Sequence, residues 1–180
     1  MRILGIDPGY GILGWSVIDK IGNKFIPIDF GSITTESKMP MEDRLEYIYN
    51  ALESIIHEYK PEEASIEELF FNNNAKTALL VGQARGVAIL ACVKGGLIIN
   101  EYTPLQIKQA LVGYGRADKK QMQEMVKRIL NLKSIILVHW AALLPGSRQN
   151  RPEAMTCVLS RFTPVPLKRW TICAPVCLCY

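Results

Sequence analysis

The apolar run "RILGID" ends on Asp7 and is cut off at once by Pro8-Gly9, and no other feature limits the fold of this chain more. A short apolar run bounded by turn residues reads as a buried strand. Asp7 therefore stands at the end of a strand inside a sheet. The space just outside the carboxyl ends of strands is where α/β sheets commonly hold ligands, so Asp7 is a candidate ligand residue. The other reading is an Asp-Pro-Gly turn former. Gly9, Gly11 and Gly14 would let a ligand approach the backbone, or supply turns of positive φ.

The remaining pattern extends that strand into a domain. "GWSVIDKIGNKFIPIDFGSITT" alternates on either side of Gly22-Asn23 and predicts two further antiparallel strands. Leu45, Ile48, Tyr49, Leu52, Ile55 and Ile56 recur at spacings of three and four behind Pro40, which predicts an amphipathic helix. "ASIEEL" is the next strand, a long helix spans about 75–93, and "GLIINEY" is one more strand. Thr103-Pro104 opens a short helix. Asp118 with Gln121 forms a capping box for a helix over 119–131, whose Met122, Met125, Val126, Ile129 and Leu130 read as core. Strands first, then helices alternating with strands, predict an α/β fold: a mixed sheet flanked by helices. Beyond Ile135 the order dissolves, so residues 1–135 are expected to form the domain and 136–180 a divergent tail.

With 49% apolar and 21% charged residues the composition is that of a soluble globular protein. Gln83 and Arg85 interrupt the longest apolar stretch, 78–93, so no membrane span is expected. The start, "MRILGID", lacks the order of a signal peptide, and the chain reads as cytoplasmic. Five cysteines, three of them at 173, 177 and 179 with no histidine nearby, fit neither a zinc site nor a disulfide framework. Up to Ile135 there are 16 basic and 16 acidic residues, and from Ile136 onward 5 basic and one acidic, Glu153. A neutral domain does not exclude a nucleic-acid partner, because binding depends on where lysines cluster.

The second strand-borne acid lies in "SIEELFF". If its strand neighbours that of Asp7, two carboxylates face one another and repel unless a cation lies between them. Mg²⁺ prefers such oxygen ligands and keeps waters and substrate phosphates around it. Successive side chains in a strand point to opposite faces, so only one of Glu67 and Glu68 can join Asp7. Parity alone leaves both open.

"GIDPGYGILGW", "SIEELFFNNNAKTALLVGQARGVAI" and "YTPLQIKQALVGYGRADKKQMQEMV" together resemble the RuvC family of Holliday-junction resolvases, in the same order and spacing over residues 1 to about 134. The resemblance implies a ribonuclease-H-like fold and a homodimer. Each subunit would cut one strand of a four-way DNA junction with two Mg²⁺ ions, Mn²⁺ being able to substitute. By this resemblance Asp7 and Glu67 are metal ligands, which decides between Glu67 and Glu68. Phe70 matches an aromatic that stacks on unpaired junction bases. Lys108 and Lys119 match lysines near the scissile phosphate, with both DNA-binding and catalytic roles. The small residues of Gly82-Gln83-Ala84-Arg85-Gly86 suit close helix packing at a dimer contact. The branch-migration proteins RuvA and RuvB are the implied partners. An actin-like nucleotide hydrolase would need further phosphate loops that this chain does not show.

One departure bears on activity. The family completes its site on a last helix with an Asp or His and, three residues on, an Asp. Here no aspartate follows Asp118, and a gapless extension brings His139 and Ala142 to those positions. His139 is thus a candidate metal ligand, whereas Ala142 has no ligating atom. The tail from 136 is expected to be out of frame, recombined or poorly ordered. The alternative to an endonuclease is therefore a junction-binding dimer with little or no cleavage.

Overall fold

The computed structural model describes residues 1–68 and 75–132, which fall in one compact unit. In chain order these form β1 (Arg2–Asp7), β2 (Ile12–Ile21), β3 (Lys24–Thr34), α1 (Met41–Tyr59), β4 (Glu63–Glu67), α2 (Ala75–Lys94), β5 (Ile98–Tyr102), α3 (Pro104–Val112) and α4 (Lys119–Ile129). The five strands make one sheet in the order β3-β2-β1-β4-β5. β1 and β2 pair antiparallel across the short turn of residues 8–11, and β2 and β3 across the Gly22-Asn23 link, where Gly22 has φ 58°. β4 and β5 join parallel to β1, since each follows a helix that carries the chain back across the sheet. The mixed sheet flanked by helices is the expected α/β arrangement.

Alternation along the strands divides the core in two. Leu4, Ile6, Leu13, Val17, Ala64 and Ile66 pack against α1 and α2, with Ile48, Leu52, Ala84 and Ala88 contributed by the helices. Fully burying a side chain such as Ile48 or Leu52 stabilises the fold by about 1.5–3 kcal/mol. On the opposite face Ile3 and Ile18 meet Ile107 and Leu111 of α3 and Met122 and Val126 of α4. Odd-numbered residues of β1 and β4 thus face α3 and α4, a parity that decides the direction of Asp7 and Glu67.

Local chemistry sets the ends of the elements. α3 and α4 each open on a complete capping box, Thr103 with Gln106 and Asp118 with Gln121. α1 stops at Lys60, whose left-handed φ of 49° lets its N–H donate to the Ile56 carbonyl. α4 is shorter than expected, ending at Ile129 because the chain turns left-handed at Asn131, φ 51°. β4 begins one residue earlier than expected. Buried Glu63 enters the ladder opposite Ile98 and accepts a hydrogen bond from Asn100 Nδ2 at 3.2 Å.

Two stretches differ from their local sequence reading. Thr77–Lys94 is, by length and composition alone, long and apolar enough to cross a membrane, because α2 tolerates Gln83 and Arg85 without a break. Arg85 pairs with Glu101, while Ala84, Ala88, Ala91 and Cys92 pack onto the sheet and α1. The glycines after Asp7 differ too: none of Gly9, Gly11 and Gly14 has a positive φ. A Cβ on Gly9 would lie 1.9 Å from the Ile12 carbonyl oxygen, so the tight turn itself demands that glycine.

Candidate functional site

Asp7 is the last residue of β1 and is exposed, with Gly14 of β2 opposite it. Glu67 is the last residue of β4, one step beyond the Ile6–Ile66 pairing. The two acids therefore end adjacent strands on one face, at the strand spacing of about 4.8 Å between backbones. Glu68 follows directly after β4. Its N–H donates to the Tyr102 carbonyl at 2.8 Å, carrying the β4–β5 ladder one residue past Glu67.

Glu67 lies in a pocket of about 300 Å³ lined also by Pro104, Ile107, Lys108, Lys119 and Met122. Lys108 comes from the middle of α3, and Lys119 is the first residue of α4. The capping boxes fix where those helices begin, so a sequence pattern around Thr103 and Asp118 decides where two ammonium groups stand beside a carboxylate. The start of α4 adds the partial positive charge of a helix N-terminus to the same pocket. Tyr102 is the cross-strand partner of Glu67. Burial first, and Glu63 second, raise its hydroxyl pKa, and among the described residues that hydroxyl has no hydrogen-bond partner.

The carboxylates of Asp7 and Glu67 carry hard oxygen donors, the type that Mg²⁺ accepts with one or two carboxylates and several waters. Among the described residues no group of three His, Cys, Asp or Glu side chains gathers in one place. Cys92 is no candidate ligand, since burial pushes its thiol up to about 12. Of the six expected site residues, Glu67, Lys108 and Lys119 line one pocket, and Asp7 ends the strand next to that of Glu67. Phe70 and His139 lie outside the described residues, as does the tail from 136.

Sequence reasoning passed over Arg44 and Tyr10, which sit against the turn that follows Asp7. Arg44 is only 5% exposed and stacks over the Tyr10 ring, 4.5 Å from its centroid. A signal was available: Arg44, Ile48 and Leu52 recur every four residues, so the arginine continues the buried stripe of α1.

Comparison with known proteins gives the same family at every level. The profile of the family described as Crossover junction endodeoxyribonuclease RuvC matches residues 3–143. A RuvC of Ruminiclostridium cellulolyticum is 57% identical over 135 residues, covering 75% of this chain and 81% of that protein. One of Alkaliphilus oremlandii is 58% identical over 135 residues, 75% and 82% of the two chains. The solved structure of Thermus thermophilus RuvC in complex with a Holliday junction substrate superposes with a TM-score of 0.73. It shares 34% identity and covers 79% of this chain and 88% of that one. The fold is accordingly ribonuclease-H-like, and the chain belongs to the RuvC family of crossover junction endodeoxyribonucleases.

Proposed function

We propose that this chain is a metal-dependent endonuclease that resolves four-way DNA junctions during recombination and repair. The observation that supports it most is the in-register ending of β1 and β4, which sets Asp7 beside Glu67 on the face carrying Lys108 and Lys119. In this reading Asp7 and Glu67 hold Mg²⁺, or Mn²⁺ in its place. Bound there, the metal would supply an activated water and stabilise charge on the departing 3′ oxygen. Lys108 and Lys119 draw the DNA backbone to the pocket and offset the charge that develops on the phosphate. Phe70 stacks on an unpaired base at the junction, a contact worth about 1–3 kcal/mol.

The substrate argues for a homodimer, since a junction has approximate two-fold symmetry and two related sites can make paired nicks. α2 offers a face for it. Leu79, Gln83, Gly86, Leu90 and Val93 follow spacings of four and three along its exposed side, with Leu79 66% and Val93 57% exposed. Such a seam suits a second helix of the same kind. RuvA and RuvB are the partners this reading brings with it, and the cytoplasm is where the DNA substrate is met.

A second reading, a junction-binding dimer with little or no cleavage, is favoured by one observation. No aspartate follows Asp118, so the last carboxylate that the resemblance calls for is missing from the sequence. Residues 136–180 are then a divergent tail, in keeping with the 135-residue span of the matches to curated relatives. Nicking of a synthetic four-way junction with Mg²⁺ or Mn²⁺, run beside a gel shift without metal, separates the two. Binding with paired nicks supports the endonuclease, and binding without nicks supports the second reading. Translating the gene in its other frames tests the tail: an alanine-rich, aspartate-bearing segment downstream would identify a frameshift.

A further inference from the structure

Arg44 carries a charge into the interior, since it is only 5% exposed. Among the described residues no carboxylate forms an ion pair with it; the bridges there join Met1 to Glu62, Arg2 to Asp19 and Arg85 to Glu101. A buried cation without an acid is costlier than an apolar side chain of its size, and in some proteins such a group is kept for the geometry it enforces. Two contacts hold the guanidinium. Its Nε donates to the Met39 carbonyl at 3.1 Å, ahead of α1, and its Cζ lies 4.5 Å from the centroid of the Tyr10 ring.

Tyr10 belongs to the turn that begins directly after Asp7, and that turn is held from a second side. Thr35, itself 7% exposed, donates from Oγ1 to the Tyr10 carbonyl at 3.0 Å and from its backbone N–H to the Gly11 carbonyl at 2.9 Å. A Cβ at position 9 would lie 1.9 Å from the Ile12 carbonyl oxygen, so this turn as built admits only glycine there. Arg44 near the start of α1 and Thr35, the residue after β3, thus hold Tyr10 and Gly11 in the turn that follows the candidate metal ligand. A ligand at a strand end is only as well oriented as the backbone that leaves it.

We propose that Arg44, stacked on Tyr10, is a positioning residue that latches the turn after Asp7 and so orients the Asp7 carboxylate toward its cation. The proposal rests on the reading of Asp7 and Glu67 as a metal centre. Outer contacts that orient a metal ligand typically cost about 10- to 100-fold in metal affinity when removed. The latch is a unit, so breaking it from either side should have the same effect, and breaking both should add nothing.

The test uses the full chain with Arg44→Ala, Arg44→Lys, Tyr10→Ala and the Ala-Ala double variant, with Asp7→Asn beside them. Mn²⁺ affinity is titrated by calorimetry without DNA, and hydrogen exchange is followed in the peptide covering residues 8–12. Arg44→Ala and Tyr10→Ala should each weaken Mn²⁺ binding about tenfold or more and speed exchange in that peptide, leaving β4 unchanged. The double variant should match the singles. Arg44→Lys, which keeps a cation over the ring but loses the Nε–H bond, should fall between wild type and Arg44→Ala. Unchanged Mn²⁺ affinity and exchange in the two alanine variants, or losses that multiply in the double, would overturn the latch. Should Arg44→Ala fail to fold, Arg44→Lys and Tyr10→Ala carry the same comparison. Asp7→Asn separates the failures: if it still binds Mn²⁺ as wild type does, the metal centre is wrong. If it loses Mn²⁺ while the latch variants keep it, only the latch is wrong.

Discussion

Asp7 and Glu67 end neighbouring parallel strands in register, Ile6 opposite Ile66, and both point to the side of the sheet that α3 and α4 cover. Their proximity follows from backbone pairing and needs no special side-chain conformation. Asp7→Asn and Glu67→Gln keep shape and remove one charge each. Each should lower cleavage of a four-way junction by about 100-fold or more while leaving junction binding intact. Single-turnover nicking assays beside gel shifts measure both effects. Either variant cutting at the wild-type rate would remove that carboxylate from the site.

Lys108 and Lys119 enter the pocket of Glu67 from two different helices. If each contacts a phosphate, Lys108→Ala and Lys119→Ala should weaken junction binding without regard to sequence. Each should also reduce the slope of log affinity against log salt by about one. A salt series of gel shifts reads the slope directly. A slope equal to that of wild type would assign the lysines to solvent.

Much of this arrangement was legible in the residues. The capping boxes at Thr103 and Asp118 and the link at Gly22-Asn23 are short-range signals, complete within four residues, and they gave α3, α4 and the β2–β3 hairpin their starts. Whether Glu67 or Glu68 joins Asp7 was not legible from periodicity, because it depends on the register of β4 against β1, 60 residues earlier. Only the resemblance chose Glu67 at that stage. Arg44 escaped notice because an arginine on a helix is normally solvated, and its burial follows from how α1 lies over the turn at Tyr10. The outer face of α2 resisted for the opposite reason. The helix is apolar nearly all round, so no polar side marks which half is covered.

That outer face carries the dimer prediction. Leu90 is 52% exposed, so Leu90→Glu removes little packing within one chain and should shift the melting temperature only slightly. A charge in the middle of a helix–helix seam should nevertheless drive the protein to a monomer in sedimentation experiments. A dimer that survives Leu90→Glu and Leu79→Glu together would move the interface elsewhere.

Arg2 and Asp19 tie β1 to β2 through two hydrogen bonds of 2.8 and 2.9 Å. The bond from Arg2 holds the Asp19 carboxyl below its ordinary value against the opposing effect of burial. A carboxylate depressed in the folded state contributes stability at pH values above its unfolded pKa, and that contribution is lost as pH falls through the folded value. Asp19→Asn should therefore cost about 1 kcal/mol or less at neutral pH, where solvent screens the pair, and nothing at strongly acid pH. Denaturant melts across the acid range should show the two stability curves converging downward. A constant gap would mean that the pair acts through shape and not charge.

The last prediction concerns the final ligand positions that the resemblance implies after α4, an Asp or His followed three residues on by an Asp. The family profile extends to residue 143, a range that includes His139 and Ala142, the residues a gapless extension brings to the final ligand positions. A two-metal site that lacks one anionic ligand should hold its second ion weakly and act slowly. If the segment around 142 can still reach the ends of β1 and β4, Ala142→Asp restores that ligand. Metal-dependent cleavage should then rise about tenfold or more, with saturation at lower Mg²⁺. His139→Ala in the same background should reverse part of the gain. A flat response to Ala142→Asp, in a protein that still binds junctions, would mean that the tail does not approach Asp7. The junction-binding reading would then be the one to keep.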